Sequence, residues 1–160
     1  MPTCTSDSRH RRLQRIRSYR LTEADAKPFQ WPVRVYYEDT DAQGVVYYAN
    51  YFRFLERART EWLRSLGVDM VALMHDERRI FVVAEVQARF LAPARLSDQL
   101  IVTARLKKLT RVSFDIEQNI YRDSVDGEIL IASNVKAAYL DADTMRPKRI
   151  PLSLFGEQTT

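Results

Sequence analysis

Residues 36–63 read YYEDTDAQGVVYYANYFRFLERARTEWL, and their character changes halfway. The stretch opens on alternating residues, passes Asp39, Asp41 and Gly44, and ends in a long run with apolar residues at helical spacing. A helix starting between Val45 and Asn50 accounts for the second half. Phe52, Leu55, Arg59, Trp62, Leu63 and Leu66 then form one stripe, with Ala58 filling it. Arg53, Arg57, Glu61 and Arg64 occupy the other face, where Arg57 and Glu61 stand four apart. Gly67 is placed to end the helix. A stripe this wide, carrying Trp62 and Phe52, needs a sheet to cover it.

Working outward, Trp31, Val33, Val35 and Tyr37 alternate with polar neighbours and read as a first strand, with Pro32 suiting an edge position. Residues 69–75 form a short second helix. Four alternating sets follow: Val82, Ala84, Val86, Ala88 and Phe90; Leu100, Val102, Ala104 and Leu106; Val112, Phe114, Ile116 and Ile120; and Ile129, Ile131, Val135, Ala137 and Tyr139. Period 2 repeated this way predicts antiparallel strands with one buried face. Asp126-Gly127 marks a hairpin turn between the last two. The fold class is therefore α+β: five antiparallel strands curling round one long helix, the arrangement in which both bury their apolar sides.

The chain has 160 residues, 46% hydrophobic and 29% charged, which fits one globular domain with a real core. The ordered domain is expected over 28–153, after an extension over 1–27 and before a tail over 154–160. The extension holds Arg9, Arg11, Arg12, Arg15, Arg17 and Arg20 within its first 20 residues against a single acid, Asp7. The formal charge of +4 thus belongs to the head, and the body is near neutral. High pI is then no argument for a nucleic-acid-binding domain. The head reads as a disordered extension or a gene start set too far upstream. A transit-like segment and a nucleic-acid or membrane arm are the competing readings. Cys4 is the lone cysteine, so no intrachain disulfide forms, and a reducing, cytoplasmic setting is the default. No run is long and apolar enough for membrane insertion.

The chemistry is expected at the helix start. First-turn N–H groups lack intrahelical acceptors and face the positive end of the dipole, so they suit an oxygen that gains negative charge. Gly44 permits an unusual turn there. Asp39 and Asp41 stand in the loop feeding that turn, where a carboxylate can take a proton from water or attack an acyl carbon. The plainer alternative is that they are N-cap or Asx-turn residues. Asp39 is expected to shape the loop. Glu56 lies about 12 Å further along the helix axis, too far to act at its start. His75 stands beside Asp76 and Glu77, but sequence neighbours do not converge on one ion, so no metal site and no cofactor are expected. A Gly-rich phosphate loop and a Gly-x-Ser-x-Gly elbow are both absent, which removes a Ser-His-Asp hydrolase.

The wording of the stretch is more specific than its composition. VRVYYEDTDAQGVVYYANYFRFLERARTEWLRSLG (33–67), with FVV at 81–83 and APARLSD at 92–98, resembles the YbgC-type acyl-CoA thioesterases, in the 4-hydroxybenzoyl-CoA thioesterase branch of the hotdog-fold superfamily. The likeness runs from Phe29 to Pro151. It implies hydrolysis of acyl-CoA thioesters in dimers or dimers of dimers with interface active sites, and a link to the Tol–Pal cell-envelope system. By position, Asp41 matches the catalytic aspartate, and Gly44 and Val45 match the turn into the helix. Tyr48 stands where many YbgC-type members have His; relatives with Tyr there use its backbone N–H to polarise the thioester carbonyl. Gln43 replaces a usual Gly. CoA phosphates call for cations, among which Lys108 and Arg111, at a hairpin, are favoured over Arg89, Arg95 and Lys107. An acyl carrier protein is a possible donor in place of CoA. A non-catalytic acyl- or carrier-protein-binding module is the alternative, and a dehydratase a third reading, disfavoured because only His75 stands in the body of the chain.

Overall fold

The computed structural model describes residues 27–155. The extension expected over 1–27 lies outside the described residues except for Lys27, as do residues 156–160. Five strands, β1 (Phe29–Arg34), β2 (Arg79–Phe90), β3 (Gln99–Leu109), β4 (Ser113–Arg122) and β5 (Ile129–Asp141), surround two helices in the chain, α1 (Tyr48–Ser65) and α2 (Met70–His75). The strands form one antiparallel sheet in the order β1-β3-β4-β5-β2, so β1 and β2 are its edges. This is the α+β arrangement expected from the pattern, one antiparallel sheet with a long helix, and the hotdog fold that the resemblance implied.

Helix α1 lies across the sheet and divides the core in two. Around its first half, Tyr51, Phe54, Leu55 and Ala58 pack with Val33, Val35, Leu100, Val102, Ile120 and Ile131. Around its second half, Trp62 and Leu63 pack with Ala104, Phe114, Ile116, Ala137 and Tyr139. The helix stops as its sequence dictates. Gly67 takes a φ of +85°, its N–H donates to the Arg64 carbonyl at 2.9 Å, and the Val68 N–H reaches back to Leu63 at 3.1 Å. That pairing is a Schellman motif, which satisfies the orphan carbonyls of the last turn. Helix α2 starts where Asp69 accepts from the Val71 and Ala72 N–H groups. The hairpin between β4 and β5 is a 123–128 loop rather than a two-residue Asp126-Gly127 turn: its left-handed residue is Asp123 at φ +62°, and a Cβ at Gly127 would meet the Arg122 carbonyl oxygen at 2.2 Å.

Four further expectations need correction. Phe52 is exposed, while Tyr51 and Phe54 are buried, so the stripe is rotated toward β1. Tyr37 leaves the strand and begins a short 3-10 turn, Tyr37–Asp39. The helix ion pairs are Arg59–Glu56 and Arg64–Glu61, not Arg57–Glu61. Strand β2 does not keep one phase, because a bulge between Val83 and Glu85 inserts Ala84. Phe81 and Val83 before the bulge, and Val86, Ala88 and Phe90 after it, therefore share the helix-facing side. Val82 falls on the other side, and no β2 residue is fully buried. The chain end also packs more than its weak pattern implies. A 3-10 turn at Leu152–Phe155 spans the boundary expected after 153 and buries Phe155 against Trp62 and Phe114 at 5.9 and 5.2 Å between ring centroids.

Candidate active site

The loop from β1 to α1 is locked by main-chain bonds that Asp39 organises. Its carboxylate accepts from the Tyr36 N–H at 2.8 Å, and its carbonyl accepts from the Tyr47 N–H at 2.9 Å and Asn50 Nδ2 at 3.1 Å. Asp39 is thus the loop-shaping acid. A two-sided clasp holds the segment to the β2–β3 connection. The Val46 N–H donates to the Ala94 carbonyl at 2.9 Å, and the buried Tyr51 hydroxyl accepts from the Ala94 N–H at 2.9 Å. Burial pushes the Tyr51 phenol above its ordinary value, which keeps it a neutral strut.

Asp41 sits inside this frame, half-buried. Its N–H donates to the Val45 carbonyl at 2.9 Å, and its carbonyl accepts from the Gly44 N–H at 3.0 Å. Gly44 closes that turn at φ +75°, with open space where a Cβ would stand. Its requirement is therefore conformational rather than steric. Asp41 Oδ1 accepts from the Gln43 N–H at 2.8 Å, an Asx-type contact that fixes the carboxylate. The Gln43 side-chain amide nitrogen, turned toward Asp41, lies 3.1 Å from each carboxylate oxygen. This contact is the Asx-turn that the plainer reading of Asp41 expected.

The helix start beside it is open. Tyr47 precedes α1 without a side-chain cap, and Tyr48 is its first residue. The Asn50 N–H donates to the Tyr47 carbonyl at 2.8 Å, while no side chain caps the first turn and no acidic residue stands in it. Asp41, Gly44 and Val45 share one hydrogen-bonded turn, and Tyr48 opens the helix three residues after it. Tyr48 is 59% exposed; its ring lies 4.8 Å from Tyr47 and 6.3 Å from Phe90 at the end of β2. Phe90, 50% exposed, also meets Tyr51 and Phe52. Phe90 thus gathers an exposed aromatic cluster with Tyr48 and Phe52 beside the helix start.

Lys108 and Arg111 are not brought to this place within one chain. Gln99 pairs with Arg34, which leads into the Asp41 loop, and Lys108 lies up β3 from there by about 30 Å at ~3.3 Å per residue. Lys108 lines an open groove of about 380 Å³ on the outer sheet face with Lys136, Glu85 and Asp115. Arg95 is the cation that the fold does place at the helix start, since Val45 and Arg95 form a bridge pair. No pattern in the sequence marked it above the others, because the contact joins two loops. His75 is exposed at the end of α2, remote from the loop.

Comparison with known proteins places the chain in a family. Residues 43–128 match the model of the thioesterase superfamily. The acyl-CoA thioester hydrolase YbgC of Escherichia coli O6:H1 is 42% identical over 129 residues, 81% of this chain and 94% of the relative. The acyl-CoA thioesterase YbgC of Haemophilus influenzae is 39% identical over 123 residues, 77% of this chain and 88% of its own. A probable thioesterase from Bartonella henselae superposes with a TM-score of 0.67 at 32% identity, covering 78% of this chain and 98% of that one. The chain belongs to the thioesterase superfamily, on its YbgC-type branch, and is a thioester hydrolase.

Proposed function

We propose that the protein hydrolyses acyl-CoA at the junction of the Asp41 loop and α1. The observation that carries this reading is a carboxylate fixed by the Gln43 N–H beside a helix start that no side chain caps. The thioester oxygen accepts from the first-turn amides, including that of Tyr48. Asp41 takes a proton from water as the water oxygen adds to the carbonyl carbon. The resulting oxyanion is held by the same amides and by the helix dipole. Collapse breaks the C–S bond, and the departing thiolate takes the proton from Asp41, leaving free acid and CoA. In the alternative route Asp41 itself attacks, the thiolate leaves, and water cleaves the mixed anhydride. Label in the Asp41 side chain after a single turnover in ¹⁸O-water identifies an anhydride cleaved by water at the Asp41 carboxyl carbon, because the general-base route never labels it. Thiol release by Asp41→Asn from a panel of acyl-CoAs tests the site, and wild-type turnover by the folded variant would remove Asp41 from it.

The protein works as a pair of copies joined along β2. That strand is a sheet edge, and Val83, Val86 and Phe90 on its helix-facing side, with Phe52 on α1, are exposed in the single chain. Apolar surface of this kind at an edge is characteristic of an interface. Two-fold antiparallel pairing of β2 with its copy reverses one sheet against the other. Lys108 and Arg111 of one copy then stand at the same sheet end as Asp41 of the other, where Arg95 also lies, and these cations receive the CoA phosphates. Sedimentation and charge-reversal at Lys108 and Arg111, read as KM for CoA esters, check both statements. The YbgC-type likeness is the support for a cytoplasmic setting, for a Tol–Pal link and for acyl carrier protein as a second donor. Among the described residues no helix is long and apolar enough to cross a membrane.

A further inference from the structure

Ala94 stands where the β2–β3 connection meets the helix start, and it is fully buried. Both peptide groups that flank it are bonded through N–H and carbonyl alike. In the Pro93–Ala94 unit the N–H donates to the Tyr51 hydroxyl at 2.9 Å, and the carbonyl accepts from Arg122 Nη2 at 2.9 Å. In the Ala94–Arg95 unit the carbonyl accepts from the Val46 N–H at 2.9 Å, and the N–H donates to Asp98 Oδ2 at 2.8 Å. The same Asp98 oxygen accepts from Arg122 Nη1, and Arg122 Nε donates to Glu128 Oε2 at 3.0 Å. Each unit is therefore held from one side by the helix start and from the other by the Arg122–Asp98 ion pair at the end of β4. The pair also fastens a strained turn. Ser97 sits at φ +68°, in the left-handed region that a serine avoids. From Ala94 the path to Asp41 is one peptide long: the Val45–Val46 unit gives its N–H to Ala94, and its carbonyl accepts from the Asp41 N–H at 2.9 Å.

We infer that Arg122, through Asp98 and the two peptide groups around Ala94, is a positioning residue that holds Asp41 in place beside the helix start. This rests on the reading of Asp41 as the acid that drives hydrolysis. A guanidinium suits the task, because its planar fork bonds Pro93, Asp98 and Glu128 together in fixed directions. Both members of the pair are largely shielded from solvent, so their attraction is screened less than that of an exposed pair. Removing the guanidinium takes a donor from the Pro93 carbonyl and a cation from Asp98. The 93–98 segment is then free to shift, and Val46 and the Asp41 turn shift with it. A displacement of about 1 Å at a reacting group is enough to cost about 100-fold in rate.

The first measurement needs no substrate. In Arg122→Ala, amide hydrogen exchange read by NMR should quicken about tenfold or more at Asp41, Val46 and Arg95, while Phe114 and Ile116 in the sheet keep their rates. The second is thiol release from short- and long-chain saturated acyl-CoAs. Arg122→Ala should lower kcat about 10- to 100-fold with KM nearly unchanged. The same substitution made on top of Asp41→Asn should cost little more, because the group it positions is gone. A merely structural role for Arg122 would instead quicken exchange throughout the sheet and give the same fractional loss of kcat in both backgrounds. That result overturns the inference, and so does either wild-type exchange at Val46 or wild-type kcat in Arg122→Ala. Should Arg122→Ala fail to fold, Arg122→Lys takes its place under the same criteria, since a lysine keeps the charge but lacks the planar fork. Full turnover by Asp41→Asn would remove the Asp41 reading and this inference with it. A slow Asp41→Asn beside a fast Arg122→Ala would remove the inference alone.

Discussion

The two ends of α1 are built from the same helix and solved in opposite ways. At its C-terminal end the Schellman pairing of Gly67 and Val68 satisfies the last carbonyls, and Trp62 is sealed beneath Phe114 and Phe155. At its N-terminal end no side chain caps the first turn, and Tyr47 and Tyr48 stand exposed. Unsatisfied amides are a cost that a scaffold removes and a catalyst keeps. The closed end seals the core, and the open end is where the proposed reaction places the thioester oxygen.

The contrast predicts which measurements each end moves. Asp41→Asn should lower kcat about 10²–10⁴-fold, the range for loss of a general base, with the melting temperature nearly unchanged. A comparable loss of stability would mean that Asp41 belongs to the scaffold. Phe155→Ala at the closed end should do the reverse, costing about 3 kcal/mol in denaturant unfolding while the folded fraction keeps its turnover. Gly44→Ala lies between them. Its added methyl meets no atom within 4 Å, so the whole effect is the positive φ, about 1–2 kcal/mol, felt as reduced turnover because the Asp41 turn shifts. The smallest effect concerns Asp141, far from the site. Its carboxyl is held below the ordinary 3.8 by the Thr144 N–H, opposed by partial burial and helped by the Thr144 hydroxyl, the Asp143 N–H and Lys148. A depressed acid stabilises the fold above the unfolded value and loses that contribution as pH falls through the folded one. Asp141→Asn should therefore flatten the decline in melting temperature below pH 4 and leave kcat at neutral pH untouched.

Local rules made much of this legible. The helix, its Gly67 stop, the Asp69-led second helix, the hairpin between β4 and β5 and the acid–glycine turn ahead of α1 all follow from spacing and turn chemistry. Arg59 even appeared in the apolar stripe by its position, and the structure buries it. What escaped was set by contacts distant in sequence. Phe52 has helical spacing, but the flank it lies on faces an edge strand that leaves it uncovered. Tyr51 was not among the stripe residues, and it is buried because its hydroxyl accepts from the Ala94 N–H, forty-three residues on. Phe155 belongs to a weakly patterned tail and packs on Trp62, 93 residues earlier in the chain. At the site, Asp41 and Gly44 were readable because they are close in sequence. Arg95 was not, because only the pairing of two loops brings it to Val45.

The extra residue in β2 has a consequence for how this chain tolerates changes of length. Ala84 occupies no rung of the ladder between Val83 and Glu85. A chain lacking it would thread every neighbouring side chain to its present face through a straighter strand. A chain lacking Gln87 instead would turn Phe90 outward, away from the tyrosines at the helix start. The strand thus carries one spare unit, and only at that spot can its count fall by one while inside and outside keep their places.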